Sequence, residues 1–296
     1  MTKLSRRQLL ISAATVGTLG SKALANPAGQ TVQLSNGDRI PALGQGTYRL
    51  AEGRRSPNQE ENALRKGISL GMTLIDTAEM YGNGSAEEMT GRVIAGQRGK
   101  VYLVSKVLPN HHTADQIRRS CDASLRRLGT DYLDLYLLHW RTVQTDLTVV
   151  ANTFESLREA GRIRRWGVSS FSVSDMEELF RLPGGRNCAT NQVRYSLQDR
   201  NIESDLIPWS RKNQMPIMAF SPLGKGGLLG NPVLKRVAER HGCSPAAIAI
   251  AWTLKDGGVI SIPGSGSIEH VTENARALDI RLAQADLDEL DRAFPA

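Results

Sequence analysis

Gly71-Met72-Thr73-Leu74-Ile75-Asp76-Thr77-Ala78-Glu79-Met80-Tyr81-Gly82 decides how this chain folds. Met72 to Ile75 is apolar, bounded by a glycine and an aspartate, and too short to bury one face of a helix. A run of that length between breaks suits a strand covered on both sides. It ends abruptly in Asp76, and a phenol, Tyr81, follows five residues later in what reads as a loop. Two later stretches end in the same way. Val101-Tyr102-Leu103-Val104-Ser105-Lys106 runs apolar into a lysine, and Leu133-Asp134-Leu135-Tyr136-Leu137-Leu138-His139 runs apolar into a histidine.

Working outward, strand signals recur at Leu43–Gly46, Thr73–Asp76, Val101–Lys106, Leu133–His139, Arg164–Ser169, Thr190–Val193, Pro216–Ser221 and Val259–Pro263. Helical periodicity occupies Gln59–Leu70, Ala86–Ala95, Thr113–Leu128, Val149–Ala160, Ser174–Leu182, Asp205–Asn213 and Pro232–His241. Pro245–Leu254 gives a further helix before the eighth strand, with Ile268–Ala277 and Ala285–Ala293 after it. Eight near-continuous Val/Ile/Leu strands alternating with helices predict a (β/α)8 TIM barrel. An open doubly wound sheet would want G-x-G-x-x-G after its first strand. Leu43-Gly44-Gln45-Gly46-Thr47 lacks the third glycine and does not open a helix. Ahead of the barrel, Thr31–Leu34 and Arg39–Ile40 flank Ser35-Asn36-Gly37-Asp38, an Asn-Gly hairpin signal.

In such a barrel, chemistry sits at the C-terminal strand ends. Singly, each polar tip has an ordinary structural role: Asp76 as a helix cap, Lys106 as a solvated strand end, His139 as a core imidazole, Tyr81 as a rim aromatic. Together they suit one task. A phenol with an unperturbed pKa of about 10 is a weak acid at neutral pH. An adjacent ammonium, held by a carboxylate, is expected to lower it, and an imidazole can orient a carbonyl oxygen. That is a proton-donating site for reducing an aldehyde or ketone.

The run from Gly71 to Gly82, with Leu138-His139-Trp140, Trp166-Gly167-Val168-Ser169 and Asn191-Gln192-Val193, resembles the aldo/keto reductase family over essentially the whole chain from residue 31 to Asp279-Ile280. The resemblance implies that Asp76, Tyr81, Lys106 and His139 form a catalytic tetrad and that the hairpin closes the barrel bottom. It implies a nicotinamide cofactor, with Gly46 and Thr47 in its site, Ser169, Ser170 and Gln192 on its carboxamide and Phe220 stacked on its ring. Many relatives carry Ser-Asn at 169–170 and tyrosine at 220. Ser221, Leu223 and Gly224 would cover the pyrophosphate, and Glu273 and Asn274 would contact the adenine. NADPH-preferring relatives show Ile-Pro-Lys-Ser and then Arg, where this chain has Ile262-Pro263-Gly264-Ser265 and then His270. NADP(H) is the expected cofactor, with Ser265, Ser267 and His270 near the 2′-phosphate. NAD(H) stays open because Gly264 and His270 replace two cations. Among family members the chain looks closest to bacterial reducers of small aldehydes such as methylglyoxal. With little sequence after the final helix to close the pocket, Tyr48 and Trp140 would border a small carbonyl substrate. A nicotinamide-binding sensor or accessory subunit with little turnover is the alternative, since potassium-channel β subunits bind cofactor while attached to another protein.

The 296 residues are 40% hydrophobic and 23% charged, which suits one globular unit of barrel size. The formal charge of +7 is partly local. Lys3, Arg6, Arg7 and Lys22 lie in the first 25 residues, which hold no acid, and without them 33 Lys and Arg face 30 Asp and Glu. Aromatics are 5%, and no basic run is interleaved with them, so nucleic acid is excluded as a partner. Ser5-Arg6-Arg7-Gln8-Leu9-Leu10, the apolar Leu9–Leu19 and Ala23-Leu24-Ala25 read as a twin-arginine signal peptide over residues 1–25. Residues 26–30 read as a linker and 31–296 as the barrel. Export by the twin-arginine machinery to the periplasm is the expectation, with no stable membrane association and a monomeric product. Cys121, Cys188 and Cys243 lack metal-ligand spacing, so no metal is expected, and buried thiols are. A metal-dependent barrel hydrolase fails for the same want of clustered ligands at the strand ends.

Overall fold

The structure, a computed structural model, describes residues 30–34, 37–224 and 227–296. The twin-arginine segment, the linker up to residue 29 and the hairpin-turn pair Ser35-Asn36 lie outside the described residues. From Thr31 onward a short antiparallel pair, β1 (Thr31–Gln33) and β2 (Arg39–Pro41), precedes eight parallel strands in chain order: β3 (Gly44–Gly46), β4 (Leu74–Asp76), β5 (Tyr102–Val107), β6 (Leu133–Leu138), β7 (Ile163–Ser169), β8 (Cys188–Arg194), β9 (Ile217–Phe220) and β10 (Val259–Ile262). Bridges Leu43–Ser261 and Gly46–Gly264 join β3 to β10 and close the cylinder. The Gly46 N–H donates to Pro263 at 3.0 Å and the Ser261 N–H to Ala42 at 2.8 Å. The (β/α)8 barrel read from the alternation is therefore present.

The seam is tightly packed. A Cβ on Gly264 would lie 3.1 Å from the Gly46 carbonyl oxygen, and one on Gly46 would lie 3.0 Å from that of Ile262. Between strands run α1 (Pro57–Ser69), α2 (Ser85–Ile94), α3 (Ala114–Leu128), α4 (Leu147–Glu159), α5 (Val173–Phe180), α6 (Leu206–Lys212), α7 (Pro232–Arg240) and α8 (Pro245–Thr253), with α9 (Ile268–Ala275) and α10 (Gln284–Ala293) after β10. Ser56 with Gln59 and Thr113 with Gln116 form capping boxes on α1 and α3. The α4 helix begins two residues earlier than its apolar pattern suggests, because the Asp146 carboxylate accepts the N–H groups of Thr148 and Val149.

Period-two alternation sorts each strand. Leu74, Val104, Leu135, Leu137, Met218 and Ile260 fill the interior, while Ile75, Tyr136, Trp166 and Val168 pack outward against the helices. Val32, Leu34 and Ile40 of the hairpin join the interior cluster. Asp38 pairs with Arg165 near the start of β7, which places the hairpin across the N-terminal end of the barrel. Burying each hairpin side chain contributes up to about 1.5–3 kcal/mol. One end of the barrel is thus sealed. Cys121 and Cys188 are buried, with burial raising their thiol pKa values to about 12, and Cys243 is half-buried.

Candidate active site

The inward positions that are apolar low in the barrel become polar at its other end. Leu74 is followed two residues on by Asp76, Val104 by Lys106, and Leu137 by His139. Each lies at or just past the C-terminal tip of its strand, and neighbouring strands are in register. Tyr81 reaches this group by a loop that doubles back. Glu79 pins the loop: its carboxylate accepts the Leu108 N–H at 2.7 Å and the Ser120 hydroxyl at 2.5 Å. After Tyr81 the chain reverses through Gly82 (φ 54°), Asn83 (φ 53°) and Gly84 (φ 94°) into α2. Glycine suits the left-handed backbone at 82, and a Cβ there would sit 2.2 Å from Ser85 Oγ, which would have to turn away.

The four side chains meet. Lys106 is fully buried, and its Nζ donates to Asp76 Oδ2 at 2.7 Å, the Thr77 carbonyl at 2.8 Å and Tyr81 Oη at 3.1 Å. All three ammonium protons are used. Burial opposes the charge, but Asp76 and Tyr81 outweigh it and hold the Lys106 pKa above its ordinary value. Tyr81 corrects the expectation from sequence. Burial raises the phenol pKa by more than Lys106 lowers it, and Asp76 adds to the rise. The phenol is therefore held in its protonated, proton-donating form. Burial, with Lys106 assisting, depresses His139 to about 3, so the imidazole is neutral near pH 7. Its ring lies edge-on to Tyr81, with centroids 5.7 Å apart, and Nδ1 is buried without a partner among the described residues.

Asp76, Tyr81 and His139 line a cavity of about 510 Å³ at the open end. Gly46, Ser169, Ser170, Gln192, Phe220, Ser221, Leu223 and Gly224 line the same cavity, as do Tyr48 and Trp140 on the expected substrate side. Tyr48 packs edge-on to Tyr81 at 5.2 Å, and Trp140 packs against His139 at 4.8 Å. Ser170 (φ 61°) and Ser221 (φ 52°) hold left-handed backbone that non-glycine residues seldom adopt.

Other expected site residues lie outside this cavity lining. Thr47 is buried behind the wall, with both its N–H and its hydroxyl on the Asp76 carbonyl. Ser265, His270, Glu273 and Asn274 lie at and along α9, outside the cavity lining. The Ser265 hydroxyl accepts the Ser267 N–H, Ser267 caps α9 through the His270 N–H, and Glu273 pairs with Arg276. Gln192 has a role not read from sequence: its amide nitrogen donates to Asp76 Oδ1 at 2.7 Å. Arg194, Met80 and Pro222 also line the cavity and were missed. The signal for Arg194 was its place two residues beyond Gln192 on an inward-facing strand position.

The residues around the cavity fit a nicotinamide dinucleotide. Ser169, Ser170 and Gln192 present polar groups beside the flat ring of Phe220, and glycines 46, 224 and 264 leave the rim clear of side chains. Among the described residues, no group of three or more His, Cys, Asp and Glu is placed to hold a metal ion, and no helix is long and apolar enough to cross a membrane.

Comparison with known proteins agrees with this geometry. Residues 42–294 match the aldo/keto reductase family. Methylglyoxal reductase YeaE of Escherichia coli (strain K12) is 48% identical over 271 residues, covering 90% of this chain and 95% of that protein. A crystal structure of an aldo/keto reductase from Klebsiella pneumoniae in complex with NADP and acetate superposes with a TM-score of 0.87 at 45% identity, covering 90% of this chain and 96% of the other. An aldo-keto reductase from Klebsiella pneumoniae in complex with NADPH gives the same TM-score and identity, covering 90% and 95%.

Proposed function

The chain belongs to the aldo/keto reductase family, and on that premise we propose that it reduces small 2-oxoaldehydes, methylglyoxal among them, using NADPH. The observation that carries this reading is Lys106 Nζ shared between Asp76 and Tyr81 at the wall of an open cavity. Carbonyl reduction as such, dependent on NAD(P)H, follows from membership of the family. The relative at 48% identity is a methylglyoxal reductase, which supports the choice of substrate. Relatives crystallised with NADP and NADPH support the choice of cofactor.

Ser169, Ser170, Gln192 and Phe220 would hold a nicotinamide, which when bound would supply hydride for the carbonyl carbon. Tyr81 donates its proton to the carbonyl oxygen. Lys106, kept charged by Asp76, stabilises the phenolate that this leaves. Neutral His139 donates a hydrogen bond that fixes the oxygen beside Tyr81. Tyr48 and Trp140 flank the substrate and leave room for a small one. Ser265, Ser267 and His270 at the start of α9 would take the 2′-phosphate without the lysine that NADPH-preferring relatives use, and NADH would then compete more closely.

We also propose that residues 1–25 direct export of the folded monomer through the twin-arginine machinery to the periplasm, as the Arg6-Arg7 motif suggests. Fractionating cells that express the full chain tests this, and a product retained whole in the cytosol would refute it. The enzyme reading is tested by titrating NADPH and NADH against intrinsic fluorescence and then following NADPH consumption with methylglyoxal. Saturable multiple turnover is expected. Tight NADPH binding without turnover on any small aldehyde would overturn the assignment.

A further inference from the structure

The sealed end of the barrel carries a second cavity, of about 730 Å³, remote from the tetrad. Its wall is built by the hairpin and the starts of β5, β6 and β7, and it is rich in guanidinium groups: Arg39, Arg158, Arg164 and Arg165. Arg164 shares the buried Asp134 carboxylate with Arg98, Arg165 pairs with Asp38, and Arg158 pairs with Glu155. Arg39 donates Nε to the Thr31 hydroxyl at 2.7 Å. Among the described residues, the four lining arginines and Arg98 behind them thus share three carboxylates, Asp38, Asp134 and Glu155, the last outside the lining. One carboxylate serving two arginines cannot neutralise both.

Two hydrogen-bond donors at this wall lack a partner among the described residues, namely the Tyr102 hydroxyl and Arg165 Nε. Buried donors without acceptors are rare in native proteins and call for an explanation. Tyr132 is already held between Arg98 and Arg164, at 4.0 and 4.2 Å, so it stiffens the arginines and offers no open ring face to a ligand. The chain's own N-terminal 29 residues contain no Asp or Glu and cannot supply the missing negative charge. Planar guanidinium forks with surplus positive charge match the oxygens of a phosphate group.

We propose that this cavity binds a phosphate-bearing small molecule, with Arg39, Arg164 and Arg165 on the phosphate oxygens and the Tyr102 hydroxyl completing its hydrogen bonds. The site is separate from the mouth and does not depend on which carbonyl the enzyme reduces.

Calorimetric titration of the full chain with pyrophosphate tests it, run with and without saturating NADPH so that the phosphate sites of the mouth are blocked in one arm. One pyrophosphate per chain is expected to bind in both arms. Arg39→Ala should weaken binding roughly tenfold and Tyr102→Phe roughly fivefold, as expected for lost hydrogen bonds to a charged ligand. Both variants should reduce methylglyoxal at the parent rate, and Tyr102→Phe should melt no lower than the parent, because it loses only an unpartnered hydroxyl. Inorganic phosphate and a sugar phosphate, run as separate arms, distinguish a site for the free ion from one that also holds a carbon body, and binding of either supports the proposal. Failure of all three probes, binding abolished by NADPH, or equal affinity in both variants would overturn it.

Discussion

Gln192 donates to Asp76 Oδ1 from across the barrel at 2.7 Å, while Lys106 holds Oδ2 of the same carboxylate at 2.7 Å. The anion that steadies the ammonium is thus itself gripped from two strands, β5 beside it and β8 opposite. A residue that family resemblance assigns to the cofactor carboxamide also braces the Asp76–Lys106 pair beside Tyr81.

Gln192→Ala should therefore do more than loosen cofactor. It leaves a buried carboxylate oxygen without its donor, a loss of about 1–3 kcal/mol. The unfolding free energy from urea melts should fall by that order, and kcat should drop along with NADPH affinity. An effect confined to affinity, with kcat and stability unchanged, would show that the contact to Asp76 is idle.

Tyr81→Phe removes the proposed acid and keeps the ring. Turnover should fall by roughly 10²–10⁴, the usual contribution of a positioned general acid, while fluorescence titration gives the parent NADPH affinity. Retained carbonyl reduction would move the proton donor elsewhere.

Lys106→Met leaves Asp76 buried beside no cation. Breaking one side of a buried pair typically destabilises by about 3–5 kcal/mol. Adding Asp76→Asn removes the stranded charge, so the double variant should be more stable than Lys106→Met alone and still inactive. Additive destabilisation in denaturant melts would argue against their coupling.

His139 offers a pH test. Its pKa is 6.5 when unperturbed and about 3 in the fold, so the unfolded chain binds a proton that the folded chain refuses. Stability from this residue is intact above pH 6.5 and is lost as pH falls through the window from 6.5 to about 3, by about 1.4 kcal/mol per unit. His139→Gln should flatten that slope, measured as the difference between parent and variant unfolding at pH 7 and pH 4.5. In the reaction, the neutral ring predicts no break in kcat near pH 6.5.

Gly264→Lys restores the cation that NADPH-preferring relatives carry. It should raise the preference for NADPH over NADH by roughly 1.5–3 kcal/mol, the scale of a charge-assisted hydrogen bond. The new Cβ meets the Gly46 carbonyl at 3.1 Å, so some loss of stability should accompany it. The ratio of the two dissociation constants is the quantity to measure.

Much of the fold and the site is legible in the sequence. Asp76, Lys106 and His139 each close an apolar run, and inward alternation alone brings such tips together. Tyr81 was legible through its motif. The bond from Gln192 to Asp76 was not, because it joins side chains 116 positions apart across the barrel and leaves no periodic trace. The direction of the Tyr81 shift was misread because a neighbouring ammonium is visible in sequence whereas the depth of burial is not. The bond from the Thr47 hydroxyl to the Asp76 carbonyl likewise joins neighbouring strands and leaves no mark in the sequence. The start of α4 was displaced because one carboxylate cap outweighed the apolar spacing.

The glycine seam at 46 and 264 sets the timing of assembly. The first strand of the cylinder waits for the last, more than 200 residues further along the chain, so a growing chain can stack most of its layers and still possess no finished mouth. A chain that stops short of β10 is therefore expected to lack the closed rim on which the proposed nucleotide would rest.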